Sequence, residues 1–342
     1  MFANTEVTGN LLMLGLHVDG DLQGINAKVA RANLESAEVQ GSLSLIGATV
    51  VGDLDMSRLR VGRDLMLSSM SVNDFVRMLP ETLKGSLDAL GVKDAGDARS
   101  ILKATFGNVS LAGAEVKGGL LLIGATVNGT LGMDGAQIGA DLTMVNGKYQ
   151  EVSLERARIS GVVSLRGSKV AGQLDCIASE IRARFDLSGS ADFAGPVNCN
   201  FAKIGELDLA GGFFRNNVDL TGTQISGELR MGSAGEERAR WAETSTLYLS
   251  NATADAIQDS QDCWPNRLDL SGFTYRNLGG HQATRLDPMA NRPVTWFVNW
   301  LGKQHPYAPA PYEQLATVLR NQGRPGDADE ILYSGKIGRA HV

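Results

Sequence analysis

The sequence is poor in aromatic residues and cysteine, and it has no cluster of lysine and arginine. Aromatic residues make up 6% of the 342 residues, so smaller aliphatic side chains must fill the interior, as in a narrow core. The three cysteines are an odd number, which argues against a disulfide framework and favours a reducing compartment. With 32 Lys and Arg against 38 Asp and Glu, the net charge is −6, and we expect no nucleic-acid partner.

Long apolar runs and recognisable catalytic motifs are also missing. No run of 18 apolar residues occurs, and the first residues do not read as a signal peptide, so we expect a cytoplasmic protein. The glycines do not form a dinucleotide or phosphate loop between a strand and a helix, and neither H-E-x-x-H nor paired C-x-x-C occurs. The sequence therefore predicts no catalytic residue, no cofactor and no metal.

Glycine is abundant, with 41 residues, and it recurs with a regular apolar pattern. In residues 118–144, GGLLLIGATVNGTLGMDGAQIGADLTM, the same phrase appears three times. Its buried position recurs at steps of 10 to 12 residues, through Leu111, Leu122, Met133, Met144, Leu154, Leu165, Cys176, Leu187, Cys199, Leu209, Leu220 and Met231. Alternation inside each phrase is typical of short strands, and repetition at a fixed period indicates a solenoid.

One phrase would enclose too little space for Leu, Met and Phe side chains, whereas two phrases close a coil of about 22 residues. The sequence therefore predicts a right-handed, four-sided parallel β-helix. Both ends of such a solenoid need protection against edge-to-edge pairing.

The pattern divides the chain into five segments. We predict N-terminal coils over residues 1–70, a helical insertion over 71–106, main coils over 107–280 and a helical C-terminal cap over 281–335. The last residues, KIGRAHV, follow none of these patterns, and we interpret 336–342 as a non-native tail.

The coil length places Cys176 and Cys199 next to each other in one inward column. A redox pair or a soft-metal site is one interpretation. Two polarisable core side chains are the favoured one, because no His or third Cys stands near them in the repeat.

Outward positions of the same phrases carry mostly acidic residues. With 22-residue coils, Asp186 stacks on Asp208, and a neighbouring column forms beside it. We interpret the set as a candidate interaction face that binds a cation or a protein partner, with DNA mimicry as a special case. A solvated face that discourages stacking is the alternative. The candidate residues are Asp175, Asp186, Asn198, Asp208 and Asp219.

After Gly280 the apolar period becomes helical. Residues 294–301 and 310–333 predict three helices, which we interpret as a cap for the end of the solenoid, with a peptide-binding pair of helices as the alternative. The candidate contact residues of this module are Trp296, Trp300, Tyr307 and Tyr312.

The phrases FDLSG, LDLAG, VDLTG and LDLSG resemble the pentapeptide-repeat superfamily of four-sided right-handed β-helices. The phrases from Gly41 to Gly52 and from Gly118 to Gly129, with residues 305–328, are more closely similar to bacterial pentapeptide-like proteins labelled membrane-associated oxidoreductases. This resemblance implies a membrane-attached full-length form at the inner face of the membrane, where a further segment would follow the helical module. It also implies a redox activity for which the residues supply no motif.

From these patterns we expect a non-catalytic β-helical scaffold that interacts with a protein partner. The alternative is an enzyme, either the oxidoreductase of the family label or a carbohydrate-active β-helix protein.

Overall fold

The computed structural model describes residues 2, 4–71, 101–232, 237–260, 262–279 and 289–340, with side chains up to residue 336. The chain divides into two compact units, Met1–Gly172 and Gln173–Val342. Both units are built of parallel β-solenoid coils of about 22 residues, and together they comprise about 11 turns.

The coil from residue 49 to residue 66 shows the plan of unit 1. Its four sides are the strands Thr49–Val50, Leu54–Asp55, Arg60–Val61 and Leu65–Met66, which we number as the first to fourth sides. The first and second sides belong to one sheet, and the third and fourth sides belong to another. Successive coils therefore stack side on side, with a backbone spacing of ~4.8 Å.

Unit 1 contains 23 described strands. They are β1 (Glu6–Leu12), β2 (His17–Val18), β3 (Leu22–Gln23), β4 (Lys28–Asn33), β5 (Glu38–Val39), β6 (Leu43–Ser44), β7 (Thr49–Val50), β8 (Leu54–Asp55), β9 (Arg60–Val61), β10 (Leu65–Met66), β11 (Met70–Ser71), β12 (Ile101–Leu102), β13 (Thr105–Phe106), β14 (Val109–Ser110), β15 (Glu115–Val116), β16 (Leu120–Leu121), β17 (Thr126–Gly132), β18 (Gln137–Ile138), β19 (Leu142–Thr143), β20 (Lys148–Ser153), β21 (Arg158–Ile159), β22 (Val163–Ser164) and β23 (Lys169–Val170).

The corners after the second and fourth sides are tight turns. At one of them the Ala48 N–H donates to the Leu45 carbonyl oxygen at 3.1 Å, and Gly47 has a φ of +68°. A positive φ at the third position is the signature of a type II turn, which favours Gly or Asn. The repeat places Gly at many of these corners for this reason.

Inward side chains of successive coils form the core. Leu54 and Leu65 are fully buried, and Leu65 pairs in register with Leu43 on one side and Leu120 on the other. The coil therefore resumes its register after the intervening segment.

That segment is bounded by an antiparallel pair, in which β11 pairs with β12. Strand β13 then pairs with β7 and returns the chain to the solenoid. The predicted helices of the 71–106 insertion fall on residues 72–100, which lie outside the described residues.

Unit 2 contains 13 described strands. They are β24 (Leu174–Asp175), β25 (Glu180–Asp186), β26 (Asp192–Phe193), β27 (Val197–Asn198), β28 (Lys203–Asp208), β29 (Phe213–Phe214), β30 (Val218–Asp219), β31 (Gln224–Arg230), β32 (Arg240–Trp241), β33 (Thr246–Tyr248), β34 (Thr253–Gln258), β35 (Arg267–Asp269) and β36 (Thr274–Leu278). The longer strands, such as β25 and β28, run through the third and fourth sides without a break.

Three α-helices and one short 3₁₀ turn, Met289–Asn291, follow the last coil. They are α1 (Val294–Leu301), α2 (Ala310–Asn321) and α3 (Pro325–Ala340). Leu315 and Leu319 of α2 are buried with Ile331 of α3, as the helical period predicts. Helix α3 continues through residues 336–340 of the predicted tail.

The predicted parallel β-helix with two phrases per coil is confirmed. All twelve repeat positions from Leu111 to Met231 are buried, with at most 1% of each residue exposed.

Candidate functional site

The second side of unit 2 carries three of the predicted site residues in one column. Asp175 pairs in register with Asn198, and Asn198 pairs in register with Asp219. All three are half-buried, so their outer atoms reach solvent. We call Asp175, Asn198 and Asp219 the second-side column.

Each side chain of the second-side column also caps the turn that follows it. The bonds join Asp175 Oδ1 to the Ile177 N–H (3.1 Å), Asn198 Oδ1 to the Asn200 N–H (3.1 Å) and Asp219 Oδ1 to the Thr221 N–H (3.0 Å). Asp and Asn suit this position because their short side chains can accept a bond from the amide two residues later. The cap holds each side chain in a fixed orientation.

The other two predicted residues lie on the fourth side. Asp186 and Asp208 pair in register, as predicted, but each is only 7% exposed. Their Oδ1 atoms accept bonds from the N–H groups of Ser188 and Ala210, both at 3.0 Å. They are buried turn caps, and the prediction that they form part of an interaction face is wrong.

Arg230 occupies the next position after Asp208 on the fourth side. Its guanidinium donates to Asp208 Oδ2 at 3.2 Å, to Gln258 Oε1 at 2.9 Å and to Glu228 Oε2 at 3.4 Å. Burial raises the pKa of Asp208, against the lowering effects of the Ala210 amide and of Arg230. Arg230 thus compensates a carboxylate that burial would otherwise destabilise.

The five predicted acidic-face residues therefore do not share one face. The second-side column and the pair Asp186 and Asp208 belong to different sheets, with a full side of the coil between them in either direction. A step of 11 residues carries the chain half a turn around the coil, so alternate phrases face opposite ways. The description of the two columns as neighbours is wrong for this reason.

The cysteine column is confirmed. Cys176 and Cys199 are fully buried and follow the in-register pair Asp175 and Asn198. Burial, with a further contribution from Cys199, raises the pKa of Cys176 well above its ordinary value. Burial also raises the pKa of Cys263 to about 12. Thiols held in the protonated form are poor nucleophiles and poor metal ligands, which agrees with core packing.

The aromatic residues of the helical module pack mainly against their own unit. Trp300 is buried, and its ring lies 5.2 Å from that of Trp264. Trp296 stacks on Trp300, with ring centroids 6.2 Å apart, and the Arg292 guanidinium lies 4.1 Å from the Trp296 ring centroid.

Tyr307 and Tyr312 are likewise engaged within the module. The Tyr307 hydroxyl donates to the Gly335 carbonyl oxygen, and Tyr312 is buried 6.0 Å from the Tyr307 ring. Trp300 and Tyr312 are thus core residues, and their prediction as partner contacts is wrong. Trp296 and Tyr307 are half-buried.

The helical module covers the last coil of unit 2. The Leu268 N–H donates to the Lys303 carbonyl oxygen (2.9 Å), and the His305 N–H donates to the Leu268 carbonyl oxygen (2.8 Å). Gln314 of α2 donates from Nε2 to the Tyr275 carbonyl oxygen at 2.7 Å. These bonds occupy both β35 and β36, so the module acts as the predicted cap.

The geometry can be compared with known proteins at this point. No protein-family model, curated protein or solved structure matches this chain. The likeness to pentapeptide-repeat proteins therefore stays a resemblance, and function must be inferred from the site.

Two further searches of the described residues bear on function. None of the helices in this part of the chain combines the length and the hydropathy needed to cross a membrane. Within the same residues, His, Cys, Asp and Glu side chains do not gather in groups of three or more that could hold a metal ion.

The sequence did not indicate the arginine clamp on the fourth side. The signal was present, because Arg230 replaces an acid in the series Asp186, Asp208 and Arg230. Recognising it required knowledge that these three positions stack in register, which the coil length supplies only after the fold is accepted.

Proposed function

We propose that the protein is a non-catalytic β-helical scaffold that binds a protein partner through the second-side column. The supporting observation is the stack of three half-exposed polar side chains, each oriented by a bond to its own backbone. Side chains that are already ordered lose little conformational entropy on binding.

The charge of the column defines the partner. Asp175 and Asp219 stand two coils apart, about 9.6 Å by the ~4.8 Å strand spacing, with the neutral Asn198 between them. Two carboxylates at that spacing suit a partner surface with two basic side chains, which would form charge-assisted hydrogen bonds. Following the family resemblance, we further propose that the full-length form is attached to the inner face of the membrane.

The test removes the charge and keeps the turn caps. Asn198 shows that an amide caps this column as well as a carboxylate does. The double substitution Asp175→Asn and Asp219→Asn should therefore preserve the fold. The matched control is Asp55→Asn in unit 1, where Asp55 Oδ1 caps the Ser57 N–H at 3.0 Å in the same way.

Photo-crosslinking from position 198 in the native host identifies the partner. We expect one crosslinked protein with the wild-type chain and with Asp55→Asn, and loss of that product with the double variant. Retention of the product by the double variant would contradict the charge-based proposal. A flavin or nicotinamide absorbance in the purified protein, with turnover that depends on it, would contradict the non-catalytic proposal.

A further inference from the structure

The first coil of unit 1 has an open end among the described strands. Strands β1, β2 and β3 pair with β4, β5 and β6 of the next coil, and they have no described partner on their other side. Unpaired strand edges are sites at which another chain can add by backbone hydrogen bonds.

The interior of this coil is also incompletely covered. Its inward aliphatic side chains are half-exposed, whereas the residues that follow them in register are buried to 5% exposure or less. The register pairs are Val7 with Val29, Leu11 with Ala32 and Val18 with Val39. The apolar interior of the solenoid thus reaches the surface at this end.

Two leucines extend the apolar surface around the rim. Leu12 is 67% exposed and Leu14 is 55% exposed. Leu12 pairs in register with Asn33, whose Oδ1 caps the Glu35 N–H at 2.8 Å. The first coil therefore has leucine where the next coil has a polar turn cap. We call Val7, Leu11, Leu12, Met13, Leu14, Leu16 and Val18, with the edges of β1 to β3, the N-terminal end face.

The opposite type of end is not open to the same association. In unit 2 the last strands, β35 and β36, are hydrogen-bonded by residues of the helical module. Head-to-tail stacking of coils, which would produce filaments, is therefore blocked. The remaining edge-to-edge association joins two N-terminal end faces and closes after two chains.

We propose that two copies of the chain associate through their N-terminal end faces around a two-fold axis. A second copy is the fitting occupant because its end has the same four-sided outline, so the apolar centres and the strand edges coincide. The two-fold axis makes β1 antiparallel to β1 of the second copy, with the central Gly9 of each strand at the axis. A coil of about 22 residues matches the roughly 20–30 residues per partner of a standard interface. This inference is independent of the scaffold proposal.

The first experiment measures mass against concentration by sedimentation velocity. We expect the wild-type chain to reach twice its 36.3 kDa mass at concentrations up to about 100 μM, far above a Kd near 1 μM. The variant Leu12→Asn with Leu14→Glu copies Asn33 and Glu35 of the next coil, so it should keep the fold and lose the dimer. The control Val51→Asn changes a 77% exposed aliphatic residue away from the end face and should leave the dimer intact.

The second experiment tests the axis directly and does not depend on disrupting the fold. Gly9→Cys places a thiol where an added Cβ meets no atom within 4 Å. Because the native Cys176, Cys199 and Cys263 are buried, oxidised glutathione should join two Gly9→Cys chains through this new thiol, whereas the control Val51→Cys should give no covalent dimer.

A wild-type chain that stays monomeric throughout the concentration series would overturn the proposal. So would growth into larger assemblies, a dimer that survives the double leucine variant, or failure of Gly9→Cys to crosslink.

Discussion

The aromatic ladder on the first side of unit 2 gives the most direct test of the packing. Phe214 is fully buried, and its ring lies between two others. The Phe193 ring is 5.2 Å away and almost parallel, at 4°, and the Trp241 ring is 4.9 Å away at 29°. The three rings come from successive coils, so the ladder joins neighbouring coils.

Replacing Phe214 by alanine should lower the free energy of unfolding of unit 2 by about 3–5 kcal/mol. A buried Phe→Ala change costs this much through lost transfer free energy and the cavity left behind. Two aromatic contacts, each worth about 0.5–1.5 kcal/mol beyond area burial, place the expected value in the upper part of that range. Stability in a solenoid is approximately a sum of neighbour terms, so the loss should appear at the coils on either side of Phe214.

Urea denaturation followed by tryptophan fluorescence measures this effect, because Trp241 is part of the ladder. The matched control is Phe201→Ala, since Phe201 is 66% exposed and the chemical change is the same. We expect the control to change the free energy of unfolding by no more than about 0.5 kcal/mol. A loss below about 1 kcal/mol for Phe214→Ala would refute close packing of the ladder, given the range expected for a buried phenylalanine.

Three further predictions concern the turns and the buried acid. Asp219→Ala should cost about 1–2 kcal/mol in urea denaturation because the Thr221 N–H loses its acceptor, whereas Asp219→Asn should cost little, and equal losses would contradict the capping role. Burial raises the pKa of Asp208, so its contribution to stability is present below its ordinary pKa and is lost as the pH rises through the folded value. The stability of Asp208→Asn relative to wild type should therefore rise with pH across the acid range, and a flat difference would contradict this. Gly135 has a φ of +66° and open space around it, so Gly135→Val should lower the thermal midpoint by the strain of about 1–2 kcal/mol, while Gly135→Asn should be tolerated as Asn146 is at its own corner.

The periodic part of the sequence was sufficient to predict the coil. Local alternation sets which side chains point inward, and the volume of Leu, Met and Phe decides that two phrases enclose the core. The stacking of Cys176 on Cys199 and of Asp186 on Asp208 follows from that coil length alone. The helical module was also predictable, because its 3.6-residue period is a local property.

The relations between sides of the coil required the tertiary structure. The exposure of an outward residue depends on what lies over it, and Arg230 and Gln258 come from later coils. Asp186 and Asp208 are therefore buried, while Asp175 and Asp219 reach solvent, although all four occupy equivalent positions in the repeat. Trp300 and Tyr312 are core residues for the same reason, because the last coil that they cover is distant in the sequence. Sequence alone determined the winding of the chain, and only the folded arrangement decided which of its polar and aromatic side chains face solvent.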